Sequence, residues 1–280
     1  MIHPLRIAHR GAAGLAPENT LAAIELAIQL GVDLIEVDVH GTADGAVVVL
    51  HDSTLTRTTN YQGAVRGLTL SQIRAADAGS WFHPSFGKEV IPILEEALEL
   101  TRNRALLLIE IKADFLAERV LQIVESMDAE SHVVIQSFDP ETVRRVKLLN
   151  SSVPTALVVG KLPTTPSRVR ARRMVREVLA VGANILSVWH AVLTPQFFEE
   201  MRRRGLSVWT WTVDERIVMR DLIQMGVQGL ITNYPDRLNE TLQVLESEGL
   251  LQVPLGRRSR QKRSRWGRRR QLKKMARRSS

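Results

Sequence analysis

Acidic side chains alternate with apolar ones in two short hydrophobic segments of the 280-residue sequence. Glu36 and Asp38 flank Val37 in the first segment, and Glu110 lies near the end of the second. Because side chains alternate between the two faces of a β-strand, Glu36 and Asp38 are expected to point to the same side. Three carboxylates on neighbouring strands would repel one another unless a hard cation joined them, and oxygen ligands favour Mg²⁺ or Ca²⁺. The alternative is a cluster paired with Arg10 and without metal, but the carboxylates outnumber the available cations.

Two histidines are candidates for proton transfer beside these carboxylates. His9 follows a short apolar segment, where a strand is expected to end. Asp44-Gly45 is typical of a two-residue hairpin turn. Pairing outward from that turn places Asp38 opposite His51, because the numbers of paired residues then sum to 89. Directly opposed residues share a face, so both imidazoles are predicted to lie near the acidic cluster.

These residues, together with Arg10 and Lys112, form a set suited to phosphoryl transfer. Two imidazoles can move protons, and a hard cation and two basic side chains can hold an anion. The sequence therefore predicts a substrate that is a phosphodiester or a phosphate ester.

The elements that must position this set alternate between strand and helix. Eight short apolar segments have the pattern of buried strands: Leu5–Ala8, Leu34–Val39, Ala105–Ile111, Val133–Ile135, Thr155–Val159, Ile185–Val188, Leu206–Trp209 and Leu230–Ile231. Segments with helical spacing lie between most of them, including Phe115–Met127, Pro140–Leu149, Pro166–Ala180, Pro195–Arg204 and Glu215–Met225. Repeated strand–helix units predict a parallel sheet, and eight of them favour a closed (β/α)₈ TIM barrel over an open doubly wound sheet. Catalytic groups of such a barrel lie where the strands end.

One segment interrupts this alternation. Residues 52–92 contain turn residues, several aromatic residues and one weak helix near Leu70–Ala76. We expect a small insertion after the second strand.

Charge divides the chain into two predicted parts, residues 1–255 and 256–280. Thirteen Lys or Arg and no Asp or Glu lie between Arg257 and Arg278, which leaves 25 basic and 30 acidic residues in the first part, a net charge of −5. The first part is expected to be the barrel. The second is expected to be a disordered polybasic tail that binds an anionic membrane surface or nucleic acid.

The lack of cysteine excludes a disulfide scaffold, thiolate metal sites and a cysteine nucleophile. Apolar segments are too short to cross a bilayer, and the N-terminus has no signal-peptide pattern. We expect a cytoplasmic protein, with peripheral attachment to a membrane through the tail as the alternative. Its oligomeric state is left open.

An ordered set of motifs resembles the glycerophosphodiester phosphodiesterase family from residue 1 to about residue 245. The matching pieces are His9-Arg10-Gly11, Ala16-Pro17-Glu18-Asn19-Thr20, Glu36-Val37-Asp38-Val39, Asp44-Gly45, His51-Asp52, Arg57-Thr58-Thr59, Glu110-Ile111-Lys112, Trp211-Thr212-Val213 and Ile231-Thr232-Asn233-Tyr234-Pro235. Any one piece alone is weak, but the ordered set is specific.

The resemblance implies a (β/α)₈ barrel with a small insertion that hydrolyses glycerophosphodiesters to glycerol 3-phosphate and an alcohol with a divalent cation. By position, it implies that His9 and His51 are the acid/base pair. It implies that the metal ligands are Glu36, Asp38 and Glu110. The phosphate contacts are then Arg10 and Lys112. Which histidine is the acid stays open. Trp211 either caps the barrel core or forms an aromatic lip for a glycerol moiety.

Two positions depart from the pattern of the family. Asp214 stands where members often have Asn, and Asn233 stands where they often have Asp. Both positions are expected to belong to the outer substrate pocket.

Two other functions compete with this interpretation. A phosphodiesterase of the lysophospholipase D type is disfavoured by the lack of cysteine and of a signal peptide, because the related sphingomyelinase D proteins are secreted. An inactive barrel that binds nucleic acid or an anionic membrane through its tail is disfavoured by the intact set of catalytic residue types.

Overall fold

A computed structural model of the protein describes residues 3–113, 115–161 and 167–251. Its strands are β1 (Leu5–Ala8), β2 (Leu34–Gly41), β3 (Val47–Val49), β4 (Leu106–Ile111), β5 (Val133–Ser137), β6 (Thr155–Val159), β7 (Ile185–Trp189), β8 (Ser207–Trp211) and β9 (Gly229–Thr232). Its α-helices are α1 (Leu21–Gln29), α2 (Leu70–Arg74), α3 (Leu94–Thr101), α4 (Ala117–Ser126), α5 (Pro140–Leu149), α6 (Arg168–Ala180), α7 (Pro195–Arg202), α8 (Arg216–Met225) and α9 (Pro235–Ser247).

Eight parallel strands close into a barrel. Their order around it is β1, β9, β8, β7, β6, β5, β4 and β2, and β2 pairs again with β1. Ile7 of β1 is therefore paired with Ile231 on one side and with Leu34 on the other. β3 pairs antiparallel with β2 outside this circle. The predicted TIM barrel is confirmed.

The alternation of side chains along the strands separates two cores. Inward-facing residues fill the lower barrel with a layer made of Ile7, Leu34, Leu108, Val134, Ala156, Ile185, Trp209 and Ile231. Outward-facing residues of β2 such as Ile35, Val37 and Val39 pack instead in the cluster that includes helix residues. The next inward position on each strand lies two residues further along, so polar residues there open to the carboxyl end of the barrel.

Polar caps begin several helices on the carboxyl side of the strands. Thr20 Oγ1 accepts a hydrogen bond from the backbone N–H of Ala23 at 3.3 Å, which begins α1. Asp139 Oδ2 accepts from the backbone N–H of Thr142 at 2.7 Å and begins α5 two residues after β5 ends. Such caps satisfy backbone donors that the helix leaves unpaired.

The segment between β3 and α3 forms the predicted small insertion. It carries the short helix α2 at the predicted place. Its own apolar core includes Leu55, Val65, Ile73 and Ile91, and packs on Val48 of β3. The insertion thus packs against β3, the strand paired with β2 outside the barrel.

The predicted register of the β2–β3 hairpin is wrong by one residue. Paired residues sum to 88, as for Val39 with Val49, so Asp38 lies opposite Leu50 and not opposite His51. The turn has three residues because Thr42 N–H bonds to the carbonyl of Ala46 at 2.9 Å. Gly45 takes the left-handed conformation with φ +83° at the third of them, as in a three-residue hairpin with a bulge.

Two helices, α3 and α9, were not among the predicted elements. The five helices predicted after the insertion are present, with ends shifted by at most two residues. No helix in the described ranges is long and apolar enough to cross a membrane. The predicted polybasic tail and its boundary at residue 255 lie outside the described residues.

Candidate active site

The eight residues predicted to form the site all line one cavity at the carboxyl end of the barrel. They are His9, Arg10, Glu36, Asp38, His51, Glu110, Lys112 and Trp211, and the cavity is completed by Gln136, Phe138, Val158 and Ile231. The strand ends therefore bring together residues that are up to 202 positions apart in the sequence (from 9 to 211).

Three buried carboxylates form the floor of this cavity. One oxygen each of Glu36, Asp38 and Glu110 lies within 4.8 Å of the others, and these residues are only 1%, 1% and 5% exposed. Burial, with repulsion from Asp38 and Glu110, raises the pKa of Glu36 well above its ordinary value. Burial and Asp38 also raise the pKa of Glu110. Burial and mutual repulsion thus both oppose ionisation of these two carboxyl groups.

Two basic side chains neutralise part of the cluster. Arg10 Nε lies 3.2 Å and Lys112 Nζ lies 2.9 Å from the carboxylate oxygens of Asp38. Lys112 also pairs with Glu110. Burial alone would raise the pKa of Asp38, but Lys112 and Arg10 outweigh it and lower that pKa to about 2. Two cations thus face three carboxylates.

The cluster fits a hard divalent cation. All three donors are oxygen atoms, the ligand type that Mg²⁺ and Ca²⁺ take. Beside them, Gln136 donates from Nε2 to Glu110 at 2.9 Å, while its buried Oε1 has no hydrogen-bond partner among the described residues. A buried acceptor without a donor is costly, so this corner of the cavity has both charge and bonding capacity for a ligand.

His9 is held at the end of β1 by a neutral partner. Its Nδ1 lies 2.7 Å from Oδ1 of Asn233, and its Nε2 lies 4.0 Å from Oε2 of Glu36. Burial, helped by the charge of Arg10, lowers the pKa of His9 to about 4. The imidazole is therefore neutral at pH 7.

His51 has a charged partner instead. Its Nδ1 lies 2.6 Å from Oδ1 of Asp52, and Arg57 Nε donates to the other oxygen of Asp52 at 2.7 Å. The hydrogen bond from Arg57 outweighs partial burial and lowers the pKa of Asp52 to about 2. Because Asp52 stays ionised, it favours a proton on Nδ1 of His51.

A chain of ion pairs links the surroundings of the two histidines. Arg57 donates to both oxygens of Glu18 at 2.8 and 2.9 Å. Glu18 in turn accepts from Arg10 Nη1 at 2.8 Å. Glu18, Asp52 and Arg57 lie in the motifs that resemble the family, but no role was predicted for them.

A strained backbone turn fixes Arg10 and Asp38. Arg10 and Asn19 both have positive φ, +50° and +58°. Asn19 N–H bonds to the carbonyl of Arg10 at 3.0 Å, and Asn19 Nδ2 donates to Asp38 Oδ2 at 2.9 Å. Non-glycine residues in this conformation are uncommon and cluster at functional sites. Asn19 lies in the motif Ala16–Thr20, but the sequence did not indicate its contact with Asp38.

An aromatic pair forms the outer wall of the cavity. The rings of Phe138 and Trp211 meet edge to face at 5.5 Å, and Trp211 Nε1 donates to the carbonyl of Ser187 at 3.2 Å. Phe138 is 48% exposed, and Lys112 Nζ lies 5.8 Å from its ring. Phe138 was not predicted as a site residue. Its signal was its place immediately after β5.

Comparison with known proteins decides the family. A profile of the glycerophosphoryl diester phosphodiesterase family matches residues 9–237. The chain belongs to this family. The glycerophosphodiester phosphodiesterase of Caldanaerobacter subterraneus subsp. tengcongensis is 35% identical over 240 residues, which cover 84% of this chain and 96% of that protein.

Solved structures agree with the sequence comparison. Glycerophosphodiester phosphodiesterase from Agrobacterium tumefaciens str. C58 is 30% identical, with a TM-score of 0.73 over 84% of this chain and 99% of that one. An Oleispira antarctica phosphodiesterase in complex with the product sn-glycerol-3-phosphate is 27% identical, with a TM-score of 0.76 over 86% of this chain and 97% of that one.

This phosphodiesterase is accordingly an enzyme that hydrolyses glycerophosphodiesters. The family resemblance expected from the sequence is confirmed. The roles of the individual site residues stay predictions. His51 lines the cavity, but the predicted reason was wrong. It lies in the chain beyond β3 and is not paired with Asp38 in the hairpin.

Proposed function

We propose that this phosphodiesterase converts water-soluble glycerophosphodiesters to glycerol 3-phosphate and an alcohol, with a divalent cation and with His9 and His51 as base and acid. The observation that carries the assignment is the contrast between the two imidazoles. His9 is buried against a neutral amide, whereas His51 is bound to an ionised carboxylate. The product named for the Oleispira antarctica relative supports glycerol 3-phosphate as the product here.

Glu36, Asp38 and Glu110 would hold the cation, which is Mg²⁺ or Ca²⁺. When bound, the cation would neutralise charge on the phosphoryl oxygens and make the phosphorus more electrophilic. Arg10 and Lys112 line the same cavity and are proposed to contact the phosphoryl group. Their charges are already oriented by Asp38, so little reorganisation is needed when an anion enters.

His9 is suited to be the general base. Since its imidazole is neutral at pH 7, one ring nitrogen carries a lone pair. That nitrogen takes the proton of the attacking hydroxyl or water while the new P–O bond forms.

His51 is suited to be the general acid. The ionised carboxylate of Asp52 holds the ring through Nδ1 and leaves Nε2 for the leaving group. As the P–O bond to the alcohol breaks, the Nε2 proton passes to the leaving alkoxide. With water as the attacking group, the diester and one water thus become a phosphate monoester and an alcohol, and exchange with solvent returns the two histidines to their starting states.

Trp211 is proposed to contact the glycerol or alcohol portion of the substrate at the outer wall. Its ring packs against Phe138, so the pair presents a rigid apolar edge beside Lys112. This arrangement favours a small polar substrate with one apolar side.

The test is the release of glycerol 3-phosphate from glycerophosphocholine and glycerophosphoethanolamine. Enzyme dialysed against EDTA should be inactive and should regain activity with Mg²⁺ or Ca²⁺. Full activity in excess EDTA would contradict the cation. A preference for lysophosphatidylcholine over both soluble diesters would instead favour the lysophospholipase D function.

We also propose that residues 256–280, outside the described residues, attach the enzyme to an anionic surface. Their thirteen basic residues support a membrane surface or nucleic acid as the partner. A cytoplasmic location agrees with this proposal.

A further inference from the structure

Two residues that follow the last two barrel strands form a hydrogen-bonded pair behind His9. Asn233 follows β9 and Asp214 follows β8. Asn233 Nδ2 donates to Asp214 Oδ2 at 2.7 Å, and the backbone N–H of Asn233 donates to Asp214 Oδ1 at 2.9 Å. Thr232 Oγ1 donates to the same Oδ1 at 3.1 Å. Three donors therefore converge on one carboxylate.

These contacts fix the orientation of the Asn233 amide. A carboxylate oxygen only accepts hydrogen bonds, so the amide must present its NH₂ group to Asp214. A flipped amide would bring its carbonyl oxygen against the carboxylate oxygen and lose the bond. The carbonyl Oδ1 of Asn233 consequently faces Nδ1 of His9, at 2.7 Å.

The fixed amide in turn selects one tautomer of His9. Because Oδ1 of Asn233 only accepts, Nδ1 of His9 must carry the hydrogen. In the neutral ring the lone pair is then on Nε2, the nitrogen on the side of Glu36. The backbone N–H of His9 also donates to the carbonyl of Thr232 at 2.9 Å, so ring and main chain are held by the same short segment.

We propose that Asn233 and Asp214 are positioning residues that hold His9 in the tautomer whose Nε2 can accept a proton. This inference rests on the proposed role of His9 as the base. Asp214 and Asn233 were expected in the outer substrate pocket, but neither lines the cavity, and the pair lies behind His9. Exchanging their two side chains would keep one amide bonded to one carboxylate.

The exchange changes the charge next to His9 but not the bonding. In the variant Asp214→Asn/Asn233→Asp, the new carboxylate accepts from His9 Nδ1 and from the new amide. The single variant Asn233→Asp has two facing carboxylates, and Asp214→Asn leaves two amides that can pair in either orientation. The double exchange should therefore restore the hydrogen bonds that each single variant loses, and it tests the orientation of the His9 ring and not its basicity.

The experiment measures the tautomer and the activity separately on the full chain with Mg²⁺. Nitrogen-15 NMR of labelled histidine at pH 7 should place the His9 hydrogen on Nδ1 in the wild type and in the double exchange. In Asn233→Leu the two tautomers should mix, and kcat should fall roughly 10-fold to 100-fold, the range typical of hydrogen-bond partners that orient metal-ligating histidines, with KM little changed.

Asn239→Leu is the matched control. Asn239 is half-buried like Asn233 and bonds to Arg6 and to the carbonyl of Leu30, far from the cavity. Its replacement should lower the melting temperature and leave the His9 tautomer and kcat unchanged.

The outcomes separate this inference from the proposed function. A wild-type His9 with its hydrogen on Nε2, or a tautomer unchanged in Asn233→Leu, overturns the positioning role. If His9→Ala keeps wild-type turnover while the tautomer measurements come out as expected, the base assignment fails and the positioning contact stands.

Discussion

The two histidines of the cavity differ in the groups that their Nδ1 atoms contact. Both have Nδ1 engaged, His9 with an amide oxygen and His51 with a carboxylate. The amide adds no negative charge, and burial with Arg10 then keeps His9 neutral. The carboxylate of Asp52, itself bound by Arg57, holds the ring of His51 through Nδ1. Two imidazoles with such different partners are suited to different roles, one as base and one as acid.

Leaving-group dependence should reveal which histidine is the acid. His9→Ala and His51→Ala should each lower kcat by roughly 10²-fold to 10⁴-fold on glycerophosphocholine, the usual contribution of a positioned acid or base. On a p-nitrophenyl phosphodiester, whose leaving group needs no proton, His51→Ala should lose much less and His9→Ala should lose as much as before. Steady-state kinetics on both substrates provide the measurement. Near wild-type turnover in either variant on glycerophosphocholine would remove that histidine from the mechanism.

The raised pKa of Glu36 predicts that cation binding releases protons. Burial lets metal-free Glu36 keep a proton at a pH where an ordinary glutamate has lost it, and a ligand must be ionised. Affinity for Mg²⁺ or Ca²⁺ should therefore rise with pH and be lost as the pH falls through the raised pKa. Titration calorimetry in two buffers of different ionisation enthalpy measures the protons released.

Glu36→Gln should bind the cation more weakly and release fewer protons. Glu25→Gln is the control, because Arg104 and Gln29 lower the pKa of half-buried Glu25 to about 2 and it has no proton to release. Equal proton release by the wild type and by Glu36→Gln would show that the proton comes from another group.

Strand parity predicted the cavity floor, but not the contacts between distant elements. Glu36 and Asp38 were placed inward by alternation alone, which needs only the knowledge that they lie on a strand. Asn233, in contrast, reaches His9 because β1 pairs with β9 at the closure of the barrel. The two residues are 224 positions apart, and local pattern carries no information on such a pairing.

At the scale of the elements, turn geometry was the weak point of prediction. Asp-Gly is compatible with both two-residue and three-residue turns, and each choice shifts the register of β3 by one residue. The helices α3 and α9 are a different case. Their buried Leu94, Ala97 and Leu98, and their Leu238 and Leu242, have ordinary helical spacing, so the sequence did carry a signal that was missed.

The turn after β1 should tolerate no side chain at Gly11. Its φ is +80°, and a Cβ there would lie 2.6 Å from the main chain of Ala23 in α1. Gly11→Ala should therefore cost about 1–2 kcal/mol for the left-handed backbone and about 1–3 kcal/mol more for the overlap. Because Gly11 N–H bonds to the carbonyl of Glu36 at 3.2 Å, kcat should fall as well. Denaturant unfolding and steady-state kinetics measure the two effects.

The variant Gly31→Ala separates the cost of the left-handed backbone from the cost of the steric overlap. Gly31 also has positive φ, +70°, but no atom lies within 4 Å of the added Cβ. Its variant should lose only the backbone contribution and keep wild-type kcat. Equal destabilisation of the two variants would show that the contact between Gly11 and α1 contributes nothing.

Charge is distributed unevenly over the whole molecule. Residues 1–255 carry a net charge of −5, and thirteen positive charges follow. The barrel nevertheless has a local basic face on α6 and α7. Arg168, Arg172 and Arg204 surround the carboxylate of Glu200 at 2.9, 3.5 and 3.1 Å. One carboxylate does not balance three guanidinium groups, so attraction to polyanions must be tested on this face as well as on the tail.

A chain that ends at Leu255 should keep kcat on glycerophosphocholine and lose salt-sensitive binding to anionic surfaces. Each Lys or Arg near an anionic leaflet contributes about 1 kcal/mol before screening, so a few engaged tail residues suffice for adhesion. Sedimentation with phosphatidylserine vesicles, and titration with duplex DNA, at several salt concentrations provide the measurement. Binding to DNA should fall steeply with salt, and comparison of the two partners shows which one the tail prefers.

Arg172→Gln/Arg176→Gln in the full-length chain is the control for charge on the barrel. Arg172 and Arg176 are exposed on α6, and their removal lowers the net charge by two without altering the tail. If the tail is the tether, this variant should bind vesicles and DNA nearly as the wild type does, because all thirteen basic residues of residues 256–280 remain. If binding is retained after truncation but lost in the α6 variant, the attraction belongs to the barrel face. If turnover collapses on truncation, the tail acts in catalysis and is not a separable tether.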